Sequence, residues 1–446
     1  MAPAHPRDAG PRRVTSWGGV SSPAHELLSE DLAAITRGAV LTRGLGRSYG
    51  DAPLPPPGVA VITGSLLADR LLAFDRATGV VRAEAGLSLR DLNRVLLPAG
   101  YFPPVVPGTQ FVTLGGMVAA DVHGKNHHVA GTFGRHVRWL RMRLADDSIV
   151  ECSRTENTEL FLATLGGMGL TGHVLEVEFQ AERVPSPWLI GEGRRAANIE
   201  EFLVALAEEA SRWPFTVGWI DCLSSGPRLG RGILWCGRWA RRDEAPTDLP
   251  KRPLQITMPF HLPSWTLGSW SVRAFNEVLF HGWSLRRKLV DPEAFFFPLD
   301  RILHWNRLYG RAGMTQFQCV LPEKDAPGST RRFLEVLSNA GGASPLCVIK
   351  DCGEEGEGRL SFPRPGVSVA VDLPVRRDTQ EVIDRLSRAT IDAGGRIYLA
   401  KDGWVKREHF QAMEPRLRAF LEAKRAVDPE GRLRSAQFER LMEEKE

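Results

Sequence analysis

Three stretches of this sequence hold residue types at spacings that could do chemistry. The first is Arg43-Gly44-Leu45-Gly46-Arg47-Ser48-Tyr49-Gly50-Asp51. Glycines there let backbone N–H groups approach phosphate oxygens that a side chain would hold away. A dinucleotide fingerprint needs G-x-G-x-x-G opening a helix. Tyr49 stands where the third glycine belongs, and Asp51-Ala52-Pro53 would break the helix. A phosphate cradle and a plain tight turn both remain open for this loop. The second stretch runs from Pro107-Gly108-Thr109 through Val112-Thr113-Leu114-Gly115-Gly116 to Ala119-Ala120-Asp121. Its glycines and small residues permit a close approach between backbone and a flat or extended ligand. Two such loops in one chain fit a pyrophosphate cradled from both sides. A further cluster, Gly166-Gly167-Met168-Gly169-Leu170-Thr171-Gly172, either closes the same cavity or forms a turn beside packed helices.

The third stretch is Val122-His123-Gly124-Lys125-Asn126-His127-His128, with His136 close behind; four of the eleven histidines fall within these residues. His123 and His127 have the i, i+4 spacing of a helical metal site. Gly124 disfavours that helix, Lys125 would repel a cation, and the segment holds no Glu to act as a base. Histidines that hydrogen-bond within the fold and histidines that contact a cofactor both stay open. No metal is expected.

The elements that position these loops follow from periodicity and punctuation. Ala39-Val40-Leu41, Val59-Ala60-Val61-Ile62 and Gly79 to Ala85 read as strands bounded by turns. Ser88 to Leu97 has helical spacing with Ser88 as N-cap. After Pro185-Ser186-Pro187 the texture changes, and eight of the twelve tryptophans lie between Trp213 and Trp305. That marks a second domain. Beyond Gly394-Gly395, Glu414 to Ala426 (with Pro415 at its start) and Gln437 to Glu444 read as closing helices. Residues 1–30 read as including a loose tail.

Composition removes several classes. The 446 residues allow two or three domains, and 43% hydrophobic with 25% charged is globular composition. Fifty-seven basic against 53 acidic residues leave +4, too little to argue for nucleic acid. No apolar run approaches the ~20 residues that span a bilayer. The N-terminus lacks the apolar core of a secretory signal. Six scattered cysteines without a C-x-x-C pair fit reduced thiols and a cytoplasmic or peripheral location.

Taken together, the first glycine loop, the Pro-Gly-Thr to Gly-Gly stretch and Asp121 to His128 resemble the flavoprotein oxidase subunits of polyprenylphosphoryl-ribose 2-epimerases. These belong to the vanillyl-alcohol-oxidase-like (PCMH-type) FAD-binding oxidoreductases. The resemblance continues through Gly134-Arg135-His136-Val137, Glu159-Leu160-Phe161, Trp305-Asn306-Arg307, Gln316-Phe317-Gln318, Leu360-Ser361-Phe362-Pro363, Gly395 to Asp402 and Val427-Asp428-Pro429. It implies an α+β, two-domain FAD-binding fold with an inserted sheet-plus-helix substrate domain. Residues 1–186 and 396–446 would bind FAD, and 187–395 the substrate.

The activity implied is FAD-dependent oxidation of a sugar secondary alcohol. The substrate would be the ribose 2-hydroxyl of a polyprenylphosphoryl-β-D-ribose, oxidised to the 2-keto intermediate on the way to arabinose for cell-wall arabinan. A separate NAD(P)-dependent reductase would complete epimerisation. Gly44, Leu45, Gly46, Arg47, Ser48, Tyr49 and Gly50 would hold the pyrophosphate. Gly108, Thr113, Leu114, Gly115, Gly116, Ala120, Asp121, Val122 and His123, with Val174 and Tyr398, would complete the FAD contacts. Lys401, His123 and Tyr49 are the catalytic candidates; Lys125, Gln316, Gln318, Lys350, Ser368 and Ala370 are the substrate candidates. Related oxidases often bond flavin to a histidine of the first loop. Arg47 stands there, so FAD is expected to be non-covalent.

Three departures bear on substrate choice rather than reaction class. Ala370 replaces a cysteine usual in the resembling enzymes, Ser368 replaces an asparagine, and a helix between Trp17-Gly18-Gly19 and Gly44 is trimmed. Pro253 to Lys288 mixes Trp265, Trp270, Phe275, Phe280 and Trp283 with Arg273, Arg286, Arg287 and Lys288. That mixture suits a membrane interface and equally a core helix with its loop. Other readings are an oxidase of a soluble sugar, alditol or aldonolactone, a histidine-rich metal hydrolase, and a flavin-less binding module.

Overall fold

Strand pairing in the computed structural model, which describes residues 7–8, 13–251, 253–340 and 344–443, builds three principal sheets. A small sheet orders Arg7–Asp8, His25–Leu28, Val61–Gly64 and Thr42–Arg43. A five-stranded antiparallel sheet orders Ile149–Ser153, Val137–Arg143, His173–Gln180, Val80–Glu84 and Leu71–Phe74. An eight-stranded sheet orders Lys288–Val290, Leu189–Ala196, Gly232–Trp239, Phe215–Ile220, Cys347–Cys352, Gly366–Pro374, Met314–Pro322 and Arg396–Ile397. The fold is α+β. The loose tail expected within residues 1–30 falls largely on residues outside those described.

Local chemistry accounts for the elements next to the cavity. Helix Leu89–Leu96 starts where Ser88 accepts a 3.1 Å bond from the Asp91 amide, and it buries Leu89, Leu92 and Leu96 on one stripe. Leu92→Ala would open a void in that stripe at a cost of about 2–5 kcal/mol. Strand Gly366–Pro374 alternates Val367, Val369 and Val371 with Ser368, Ala370 and Asp372. Its apolar face packs in a core with helices Ile199–Ala210, Ala326–Asn339 and Thr379–Asp392. A second core fills the first half, around Val81, Leu92, Met117, Leu140 and Phe179.

Some expectations shift. The strand expected at Ala39 to Leu41 begins only at Thr42, because the turn after helix Leu32–Ile35 occupies residues 36–38. The helix expected from Glu414 begins at Leu417, since Glu414 instead clasps the Arg416 guanidinium at 2.7 Å. The last helix spans Ala436–Leu441. It returns the chain to its first half: the Ala436 amide donates to Leu54 at 3.0 Å, and Arg440 pairs with Asp51 at 2.7 Å. All six cysteines are buried free thiols. Among the described residues, no helix is long and apolar enough to cross a membrane.

Candidate active site

A cavity of about 360 Å³ lies where the first glycine loop, the second loop, the eight-stranded sheet and the turn before Lys401 meet. The first loop leaves strand Thr42–Arg43 and is strapped at its far end. The Tyr49 amide donates to Ala400 at 3.0 Å, and the Trp17 amide to Ser48 at 3.0 Å. Among the described residues, the amides of Gly44, Leu45, Gly46, Arg47 and Ser48 donate to no protein acceptor. Five consecutive unpaired donors beside a cavity are an open claim on a ligand's oxygens. The second loop touches the first so closely that a Cβ on Gly44 would lie 2.3 Å from the Thr113 hydroxyl. Gly108 is the opposite case: a Cβ there meets nothing within 4 Å, so it would project into open space beside the cavity.

Gly46 sits at φ +62°, and a Cβ on it would point at the Arg43 guanidinium, 2.0 Å away, rather than at a phosphate. That guanidinium is fixed by Glu26 at 3.2 Å and the Thr15 carbonyl at 2.7 Å. Glycine at 46 therefore answers a backbone requirement more than a ligand's approach. The cluster at Gly166 to Gly172 serves mostly in packing. Gly166 and Met168 donate to Val118 and Ala119, and Met168 alone reaches the cavity.

The opposite wall is a platform set by sheet register. Gln316 pairs with Asp372, Gln318 with Ala370, and Lys350 with Ser368, so these side chains share one face. Gln316, Gln318, Val348, Lys350 and Ala370 line the cavity. Ser368 lies beneath it, accepting from Gln318 at 3.2 Å. Gln318 and Lys350 hold the two ring nitrogens of His123, at 3.1 and 3.3 Å. Burial first, and then the charge of Lys350, keep His123 well below its usual pKa, and hence neutral. Burial also lowers Lys350 to about 8.

Lys401 enters from a turn whose bonds run from the Lys401 amide to Tyr398 at 3.0 Å and from Asp402 to Leu399 at 3.2 Å. The bend brings both Tyr398 and Lys401 to the cavity, where an extended segment would have sent them to opposite sides. Asp402 is not the partner of Lys401. Its carboxylate is taken by Arg440 at 2.8 Å and by the amides of Trp404 and Val405. The Lys401 ammonium lies 3.9 Å from the centroid of the Tyr49 ring. Burial lowers its pKa to about 8, against the opposing pull of Asp372. Asp372 is itself raised to about 6 by burial and accepts from Gln316 and from the Tyr309 hydroxyl.

Of the cofactor candidates, Gly44 to Tyr49, Gly108, Thr113, Gly116, Ala120, Val122, His123 and Tyr398 line the cavity. Gly50, Leu114, Gly115, Asp121 and Val174 are not among its lining residues. Gly50 packs on the backbone of Asp402, Leu114 is fully buried, and Gly115 packs on Ala85. Asp121 is buried and holds the Gly134 amide at 2.8 Å and the Ser361 hydroxyl; Val174 belongs to the first-half core. Lys125 also lies off the cavity: its ammonium donates to the Phe295 carbonyl, and burial lowers its pKa to about 7. The other histidines of the cluster disperse, His127 accepting from Gly353, His128 meeting the Trp213 carbonyl and His136 the Ala130 carbonyl. Among the described residues, no three His, Cys, Asp or Glu side chains gather as a metal would require.

Sequence reasoning did not single out Trp17, Phe111, Asp300, His304 or Asp372. Trp17 and Phe111 sandwich Arg47, with its guanidinium carbon 4.5 and 5.5 Å from their ring centroids. Asp300 ties the helical turn Pro298–Arg301 to the second loop through the Thr109 hydroxyl at 2.7 Å and the Gln110 amide at 2.8 Å. Only Asp372 left a trace, in the alternation that makes it share a face with Ser368 and Ala370.

Residues 31–153 match the model of an FAD binding domain. Decaprenylphosphoryl-β-D-ribose oxidase of Mycolicibacterium smegmatis is 33% identical over 96% of this chain and 97% of its own length. The chain belongs to the decaprenylphosphoryl-β-D-ribose oxidase family. Similarity extends to an uncharacterised protein of Streptomyces coelicolor, 32% identical over 77% of this chain and 96% of that protein. L-gulonolactone oxidase of Scyliorhinus torazame is 35% identical, but over only 25% of each chain. Like its family, the protein is an FAD-dependent oxidoreductase acting on CH–OH groups. The residues present fit that cofactor: unpaired amides for a pyrophosphate, an open Gly108, and a polar platform facing them.

Proposed function

We propose that this chain oxidises the ribose 2-hydroxyl of a polyprenylphosphoryl-β-D-ribose, and that a separate NAD(P)-dependent reductase converts the 2-keto product to the arabinose epimer. The observation that carries this reading is the end-to-end likeness to an enzyme named for that substrate, joined to one cavity that holds both the glycine loops and a polar platform. The likeness to a lactone oxidase stops at a quarter of the chain, which disfavours a soluble lactone.

In this reading residues 1–186 and 396–446 form the FAD domain and 187–395 the substrate domain. The amides of Gly44 to Ser48 hold the pyrophosphate, and FAD is bound without a covalent link. When bound, FAD supplies the acceptor for the hydride leaving the sugar carbon. Lys401 accepts the hydroxyl proton: at a pKa of about 8, about a tenth of it is the neutral amine at pH 7. Gln316 and Gln318 orient the sugar hydroxyls, neutral His123 holds Gln318 and Lys350 in place, and Lys350 offers a cation to the phosphate. The polar-to-small change at Ala370 leaves room on the platform beside Gln318.

Anaerobic mixing with polyprenylphosphoryl-β-D-ribose should bleach the flavin absorbance and yield a product two mass units lighter. Bleaching by aldonolactones or alditols with none by the lipid-linked ribose would overturn the assignment.

A further inference from the structure

The segment from Lys251 to Val290 plays no part in the cavity chemistry, yet it carries much of the exposed apolar surface. Leu254 is 83% exposed, Trp270 82%, Trp265 77% and Val278 71%, with Ile256 and Phe260 close behind. Helix Ser269–Gly282 buries Val272 and Asn276 and turns Trp270, Phe275 and Val278 outward. A water-facing helix normally has the reverse pattern, and a contiguous exposed apolar patch marks an interaction site.

Charge and position say what covers it. The segment holds six basic residues against one acid, Glu277, an excess larger than the +4 of the whole chain. Glu277 is engaged by Arg231 at 2.6 Å, while Lys251, Arg273, Arg286, Arg287 and Lys288 are exposed. A second copy of this chain would set two such cationic patches face to face; anionic headgroups would neutralise them. Strand Ile256–Thr257 pairs in parallel with Ile302–Leu303, and Ile302 and Leu303 line the cavity. Leu267 packs against the cluster of Tyr49, Trp305 and Tyr309. The patch is therefore continuous with the cavity wall.

We propose that residues 253–290 form a docking surface for an anionic lipid bilayer. Trp265, Trp270 and Phe260 enter the interface while Arg273, Arg286, Arg287 and Lys288 meet headgroups. A polyprenyl-linked sugar then reaches the cavity while its lipid stays in the membrane; this last step rests on the substrate proposed above. Tryptophan suits the role because its ring is apolar and its N–H polar.

The test is sedimentation of the FAD-loaded protein with vesicles of phosphatidylcholine containing phosphatidylglycerol, and with phosphatidylcholine alone. Binding is expected to the anionic vesicles and to weaken with salt. Replacing Arg286, Arg287 and Lys288 by Gln should weaken it on the order of 100-fold, about five-fold per charge. Trp265→Ser with Trp270→Ser should weaken it as well, with flavin spectrum and Tm unchanged. Failure to bind anionic vesicles at low salt, or binding indifferent to both sets of changes, would overturn the proposal. So would a dimer in light scattering that the tryptophan changes dissociate. Flavin bleaching by a short-chain, water-soluble phosphoryl ribose without vesicles reads the substrate separately. Bleaching without vesicle binding removes the docking surface alone; vesicle binding without bleaching supports the surface and removes the substrate reading.

Discussion

Replacing Lys401 by Met separates a reacting amine from a merely positioned one. Methionine keeps an apolar stem over the Tyr49 ring, which the lysine ammonium approaches to 3.9 Å, and it removes the titrating nitrogen. If Lys401 receives the hydroxyl proton, the loss falls on the transition state. Flavin reduction should slow by about 10²–10⁴-fold, with little change in substrate affinity. Stability should move the other way. Burial depresses the lysine from 10.5 to about 8, so below pH 8 the charged form weighs against folding by on the order of 3 kcal/mol. That handicap is relieved as pH rises from 8 toward 10.5, and Met removes it at every pH. Lys401→Met should therefore match or exceed the wild type in Tm at pH 7, with the difference shrinking above pH 8. In stopped flow, wild-type reduction should rise with pH and level off above about 8, and the variant should lose that rise. Reduction near the wild-type rate, or an unchanged pH profile in the variant, would refute the assignment.

Gly108→Leu should fold normally, since no atom beyond its chain neighbours lies within 4 Å of the new Cβ, but it should purify with much less FAD, read as the ratio of flavin to protein absorbance. Acid precipitation should release the yellow colour into the supernatant; colour kept in the pellet would mean a covalent link. His173 is buried against the Thr42 hydroxyl and the Ala39 carbonyl, and burial lowers it to about 4. Its neutral form is favoured on folding, so stability should be lost as pH falls from 6.5 toward 4, and His173→Asn should flatten that part of a Tm-against-pH curve.

How much was legible in the residues differs from element to element. The helix at Leu89 could be read because an N-cap and an apolar stripe are local in sequence, and its start at Ser88 stands. The first two glycine loops could be picked out as well, since runs of glycine are local in sequence, and residues of both line the cavity. The alternation in Val367 to Asp372 fixes which side chains share a face. Which face meets the cavity could not be read, because that depends on register with strands Met314–Pro322 and Cys347–Cys352. Tertiary structure alone set Lys125 and Asp121 off the cavity and gave Asp402 to Arg440 instead of Lys401. It also showed that Gly46 faces Arg43. Lys125 and Phe295, Asp121 and Ser361, and Asp402 and Arg440 lie far apart in sequence, and only the folded chain brings each pair together. Local sequence sets backbone propensity and composition, while burial and charge pairing are properties of the assembled neighbourhood.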